Sequence, residues 1–152
     1  MKTITLIRHA QSLYNANPQL TQDIVDCGLS EEGIKQANQL NRTVDLLIVS
    51  PLKRAIETYN RSKIRTTSII VSPLFIEYHY GNSITYGNNQ HLAAETPDDV
   101  INRAKTAISY IKSQPQQNIG IISHGYFLRV FMQELGLESM DFQNAQIIQF
   151  KI

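Results

Sequence analysis

Only one cysteine, Cys27, occurs in the chain, so no internal disulfide can form and a reducing cytoplasm is the expected setting. There is no charged-then-apolar leader and no apolar run long enough to span a bilayer, so neither secretion nor membrane insertion is expected. Neither sign of charge is in excess: 14 lysines and arginines face 13 aspartates and glutamates. The surface as a whole therefore offers no field that would make nucleic acid or an anionic membrane the main partner. A glycine-rich phosphate loop with lysine, a dinucleotide glycine fingerprint and a nucleophilic serine elbow are all missing. So are internal repeats and low-complexity linkers. What is left is one domain over residues 1–152, long enough to bury a core without help from metals or disulfides.

Periodicity then divides the chain. Ile4, Leu6 and Ile7 form a short apolar strand that ends at the charged pair Arg8-His9. Ser30 can cap a helix with apolar positions Ile34, Ala37 and Leu40. Leu46 to Val49 reads as a buried strand, and Ser50-Pro51 supplies an N-cap and a first helical position for the helix expected next. Ser68 to Val71 is a third strand. Thr96-Pro97-Asp98-Asp99 resembles a capping box, followed by Val100, Ala104, Ala107 and Ile111 on one helical face. Asn118 to Ser123 is a fourth strand, Phe127 to Leu135 a packed helix closed by Gly136, and Gln146 to Phe150 a last strand. Strands alternating with helices predict a three-layer αβα sandwich around a mostly parallel sheet. The one long irregular stretch, Tyr78 to Glu95, is expected to be a short lid or a loose loop.

In open α/β sheets ligands bind outside the carboxyl ends of the strands. Arg8 and His9 follow the first predicted strand, Arg54 falls in the first turn of the helix after the second, and His124 and Gly125 follow the fourth. Arginine forks and helix N-termini suit phosphoryl oxygens, and a neutral imidazole among them can attack phosphorus. Surrounding cations favour the unprotonated form of that imidazole. His9 is the candidate nucleophile.

These residues resemble the signatures of the histidine phosphatase superfamily, with its phosphoglycerate-mutase-like fold. Leu6-Ile7-Arg8-His9-Ala10-Gln11-Ser12 is similar to the arginine-histidine signature, with Asn15 following it. The segment from Asp26 through Leu29-Ser30 and Gly33 to Gln36-Ala37 resembles the next motif, Ser50 to Thr58 the second arginine motif, and Ser123-His124-Gly125 the second histidine motif. The resemblance implies that His9 is phosphorylated and then hydrolysed, while Arg8, Asn15, Arg54, His124 and Gly125 hold the phosphoryl group, with no metal and no other cofactor. Glu77, four residues before Gly81, fits the family's proton donor. The activity implied is that of a phosphoric monoester hydrolase of the histidine acid phosphatase type, acting on a small phosphorylated substrate or a phosphoprotein.

Two departures and the short lid bear on substrate. Ala10 stands where many members carry glycine, and Asn82-Ser83-Ile84 replaces the aromatic-acidic-glycine run that often follows Gly81. The short Tyr78–Glu95 segment favours a phosphatase over a phosphoglycerate-mutase-type transferase. A phosphohistidine-protein phosphatase and a phosphate-recognising regulatory protein are the other readings, and the retained His9, His124 and Glu77 weigh against the last. His79 and His91 lack metal-ligand spacing and are expected to be exposed loop histidines; Cys27 is expected to be inert, and Lys53 a helix-surface residue. Tyr78, Tyr80 and Tyr86 either line the substrate mouth or pack the loop onto the domain.

Overall fold

Aliphatic and β-branched residues dominate Thr3–Arg8, and this segment is strand β1, with both faces buried as a central parallel strand requires. The computed structural model describes residues 1–152. After β1 come α1 (Leu13–Ala16), α2 (Glu31–Gln39), β2 (Thr43–Val49), α3 (Lys53–Arg61) and β3 (Arg65–Val71). A hairpin of β4 (Ile84–Tyr86) and β5 (Gln90–Leu92) precedes α4 (Pro97–Ser113), β6 (Asn118–Ser123), α5 (Gly125–Glu134) and β7 (Ile147–Lys151). The main sheet has five strands in the order β3-β2-β6-β1-β7. The first four are mutually parallel, and β7 closes the edge antiparallel to β1.

Period-two alternation sends the strand side chains to two cores. Ile4, Leu6, Leu46, Ile48, Ile119 and Ile121 face α4 and α5, whose Val100, Ala104, Ile111, Phe127 and Phe131 complete an 18-residue cluster. On the other face Ile7, Val44, Leu47, Val49 and Ile122 pack with Leu40 and Ala55 beneath α2 and α3. This is the three-layer arrangement expected from the sequence. Caps written in the sequence end the helices: Ser30 Oγ accepts from Gly33 N, and Thr96 and Asp99 form a reciprocal capping box. At the end of α5, Gly136 (φ 72°) and Leu137 donate to the carbonyls of Gln133 and Met132, a Schellman closure that a left-handed residue makes possible.

Two expectations need correction. The second arginine motif does not begin its helix at Ser50-Pro51: α3 starts at Lys53, its N-cap Leu52 provides no side-chain acceptor, and Ser50 is drawn away to a histidine. Asp26, from a distant loop, serves in its place, accepting from Lys53 N at 2.6 Å. The stretch from Tyr78 to Glu95 is not structureless either. It holds the β4–β5 hairpin, whose turn donates Gly87 N to the same Asp26 carboxylate at 2.9 Å.

Candidate active site

Register brings the two histidines together. Arg8 on β1 is paired with Ser123 on β6, so the next residues, His9 and His124, leave neighbouring parallel strands side by side. Strands of one sheet lie about 4.8 Å apart, and the imidazole centroids are separated by 5.1 Å. β2 is the other neighbour of β6, and its end leads through Ser50 to α3 and Arg54. After β3 a 3₁₀ turn, Pro73–Phe75, delivers Glu77 to the same rim. The residues predicted at separate strand ends thus converge.

A local hydrogen bond fixes the tautomer of His9. His9 Nδ1 lies 2.7 Å from the Ala10 carbonyl, which can only accept; Nδ1 therefore carries the proton and Nε2 keeps its lone pair. Arg54 Nε points at that lone pair from 3.3 Å. His124 Nε2 lies 2.7 Å from Ser50 Oγ, and that hydroxyl also accepts from Leu52 N. With one proton and a second lone pair left, the hydroxyl can serve either tautomer of His124, whose Nδ1 is buried without a partner. Burial first, and the Arg54 charge second, hold both rings well below the usual histidine pKa, with Arg8 adding to the effect. Both are therefore neutral at physiological pH.

A cavity of ≈ 200 Å³ opens over His9, walled by Arg8, Asn15, Cys27, Arg54 and Glu77. Arg8 Nη1 is anchored to the Phe142 carbonyl at 2.5 Å, while its Nε is buried and unpartnered. Gly125 is where the guanidinium needs space: a Cβ there would stand 3.3 Å from Arg8 Nε. Arg54 Nη1 is anchored to the Val25 carbonyl at 2.5 Å. Asn15 has its Oδ1 engaged by Ser12 N and Asn144 Nδ2, so only its own amide N–H groups remain for a ligand. Glu77 accepts from the amides of Phe127 at 2.9 Å and Tyr126 at 3.3 Å, at the N-terminus of α5. His124, in contrast, has no exposed surface and does not line the cavity. It touches the site through Ser50 and the ring of His9.

Several motif residues never reach the cavity and hold its walls instead. Thr58 Oγ1 accepts from Ala10 N and donates to the Arg54 carbonyl, tying the loop after β1 to α3. Glu57 accepts from Leu29 N at 2.7 Å. Gln36 accepts from Gln11 N, and Ser30 contacts Gln11 with both backbone and hydroxyl. Gly33 permits this approach, because a Cβ would sit 1.9 Å from the Gln11 carbonyl oxygen. Sequence reasoning quoted these segments without seeing that they clamp the loop bearing His9. It missed Ser50 and Asp26 altogether as site-building residues.

His79 is not the exposed loop residue expected. Its side chain is 8% exposed, with Nδ1 3.3 Å from Glu95 Oε2 and 3.2 Å from the Glu77 carbonyl, and Nε2 2.6 Å from the Ala93 carbonyl. Arg103 of α4 grips both Glu95 oxygens, donates to the Leu74 and Ile76 carbonyls and lies 4.5 Å over the Phe127 ring. This network pins the backbone on either side of Glu77. His91 is exposed and pairs with Thr85. Cys27 is buried in the cavity wall, closer to the site than the sequence suggested. No helix is long and apolar enough to cross a membrane.

The sequence matches the histidine phosphatase superfamily (branch 1) over residues 4–86 and 82–151. A protein of Hydrogenobacter thermophilus named "Putative phosphoserine phosphatase 2" is 25% identical over 168 residues, covering 92% of this chain and 83% of its own. Among solved structures, one from Escherichia coli called a "putative alpha-ribazole-5'-P phosphatase" superposes with a TM-score of 0.75 at 18% identity, over 100% of this chain and 91% of that one. Phosphoglycerate mutase from Thermus thermophilus gives 0.66 at 17% identity, over 97% and 91%. At these identities the two structures speak to the fold, which is phosphoglycerate-mutase-like.

Proposed function

Since this chain belongs to the histidine phosphatase superfamily, whose phosphatases act on small phosphorylated substrates, we propose that it hydrolyses phosphomonoesters without a metal through a phosphohistidine on His9. The observation that carries this reading is the tautomer of His9. With the Nδ1 proton committed to the Ala10 carbonyl, the unprotonated Nε2, met only by the long 3.3 Å contact from Arg54 Nε, stands in a cavity walled by two arginines. Nε2 attacks phosphorus, the P–O bond to the leaving group breaks, and Glu77 delivers a proton to the departing oxygen. Water then attacks phospho-His9, Glu77 takes a proton from it, the P–N bond breaks, and inorganic phosphate leaves. Arg8, Arg54 and the Asn15 amide meet the phosphoryl oxygens, with His124 packed behind the His9 ring, and charge developing on those oxygens needs no cation beyond the guanidinium groups.

Hydrolysis is favoured over transfer to a second hydroxyl because the cavity wall includes Tyr14 and Ile24, which are 41% and 62% exposed and leave water a path to the phosphoenzyme. The test is hydrolysis of an aryl phosphate in EDTA by the wild type and by His9→Ala. We expect turnover to survive chelation and to fall at least about 10³-fold in the variant. Loss of activity in EDTA, or a fully active His9→Ala, would overturn the reading.

A further inference from the structure

A second cavity, of ≈ 250 Å³, adjoins the first and shares Ile24, Arg54 and Glu77 with it. A phosphoryl group over His9 would leave the rest of the substrate beside Glu77. Of the two cavities there, the other, of ≈ 300 Å³, lies among Arg8, Arg129 and Asp141, and this one is the more apolar. Leu52 and Val25 form one wall; Tyr78, Tyr80 and Ile84 form another, with Asn82 and Ser83 as the uncharged polar groups. Apart from Arg54, no lysine or arginine lines it.

Donor accounting sharpens this. Arg54 is spent on Val25 and His9 within the protein and on the phosphoryl group in the proposed reaction. His79 also lines the cavity, but both ring nitrogens already face acceptors: Glu95 and the Glu77 carbonyl on one side, the Ala93 carbonyl on the other. On the opposite flank of Glu77, Arg129 is paired with Asp141 at 3.0 Å and lies 4.8 Å over the Tyr126 ring, so its charge is compensated as well. A carboxylate on the leaving group would find no free cation and would approach the Glu77 carboxylate. An aromatic or aliphatic body would instead bury apolar surface against Ile24, Leu52, Ile84 and the tyrosines.

We propose that the enzyme selects phosphomonoesters whose leaving group is uncharged and aromatic or aliphatic, and discriminates against phosphorylated acids. The proposal rests on the reading of the His9 site as a phosphomonoesterase. Intrinsic reactivity is matched by comparing benzyl phosphate with 4-carboxybenzyl phosphate, which differ by one remote carboxylate. An unmet charge at a partly desolvated site corresponds to a preference of roughly 30-fold or more in kcat/KM for the benzyl ester. Ile84→Lys, which places a cation in the cavity, is expected to narrow that ratio at least fivefold.

A wild-type ratio near one, or one favouring the carboxylate, overturns the proposal, as does an unaltered ratio in a folded Ile84→Lys protein. Calorimetric binding of benzylphosphonate and 4-carboxybenzylphosphonate to the wild type gives the same comparison without turnover. If neither ester is hydrolysed, the phosphomonoesterase reading fails, and the ratio of the two phosphonate Kd values still decides selectivity.

Discussion

Two neutral histidines buried among arginines make stability depend on pH in a way that isolates them. His9 is 3% exposed and His124 0%, and burial, followed by Arg54, holds both pKa values well below the ordinary 6.5. Above pH 6.5 both rings are neutral in the folded and unfolded chains, and no proton is exchanged on unfolding. As pH falls below 6.5 the unfolded rings bind protons while the folded rings do not, so stability falls. It goes on falling until the folded-state pKa values are reached, and then levels off. Each ring contributes a slope of up to about 1.4 kcal/mol per pH unit, and the pair up to about 2.7. Carboxylates add their own acid dependence at lower pH, and it is common to wild type and variants. The assay is urea unfolding at half-unit steps from pH 7.5 to 5.0 for the wild type, His9→Gln, His124→Gln and the double variant. Each single variant should lose up to about half of the excess slope below pH 6.5, and the double variant all of it. Parallel curves for all four proteins would refute the assignment of buried neutral rings.

Two further outcomes follow from the framework around the site. Gly33→Ala places a Cβ 1.9 Å from a backbone oxygen of Gln11 that cannot swing aside, whereas Gly28→Ala meets the movable Glu57 carboxylate at 2.8 Å. Gly33→Ala should cost about 3 kcal/mol and lower Tm by about 6–12 °C, with Gly28→Ala milder; a Gly33→Ala melt matching wild type would remove the close-approach argument. Arg103→Met strips Glu95 of its partner and frees the Leu74 and Ile76 carbonyls that steady the approach to Glu77. Beyond a stability loss of about 3 kcal/mol, kcat should fall more for esters with poor leaving groups than for activated ones; equal losses across leaving groups would limit Arg103 to a structural role.

What could be read from the sequence was local. The apolar run of Thr3–Arg8, the Thr96–Asp99 capping box and the Gly136 stop each act within a few residues, and each forms as expected. Polar residues after the strands were also legible, because a parallel sheet delivers all its strand ends to one rim; hence Arg8, His9, Arg54 and His124 meet. Ser50 failed as a cap because a tertiary partner, His124, competes for its hydroxyl. Asp26 could not be identified as the replacement cap, since its partners Lys53 and Gly87 lie 27 and 61 residues away. His79 looked exposed for the same reason: its burial depends on Glu95 and Ala93, across the β4–β5 hairpin. The hairpin itself, three residues per strand, is too short to carry a period-two signal.

The two carboxylates nearest the arginines do different work because their oxygens are engaged differently. Asp26 has both oxygens tied, one to Lys53 N and the other to Gly87 N, so it joins α3 to the hairpin, and it does not line the cavity over His9. Glu77 is anchored on one side only: Oε1 accepts from Tyr78 N and Phe127 N at 2.9 Å, while Oε2 has the single, longer contact of 3.3 Å from Tyr126 N. Oε1 then holds the carboxyl group against α5, and Oε2, the weakly held oxygen, is the one able to exchange a proton in the proposed reaction. Separating anchor from working atom within one group lets Glu77 stay fixed relative to His9 through the proton transfers of the proposed reaction. The Arg103–Glu95–His79 network clasps the backbone around Glu77 and leaves its carboxylate alone, so it holds the position of the proposed acid and not its charge.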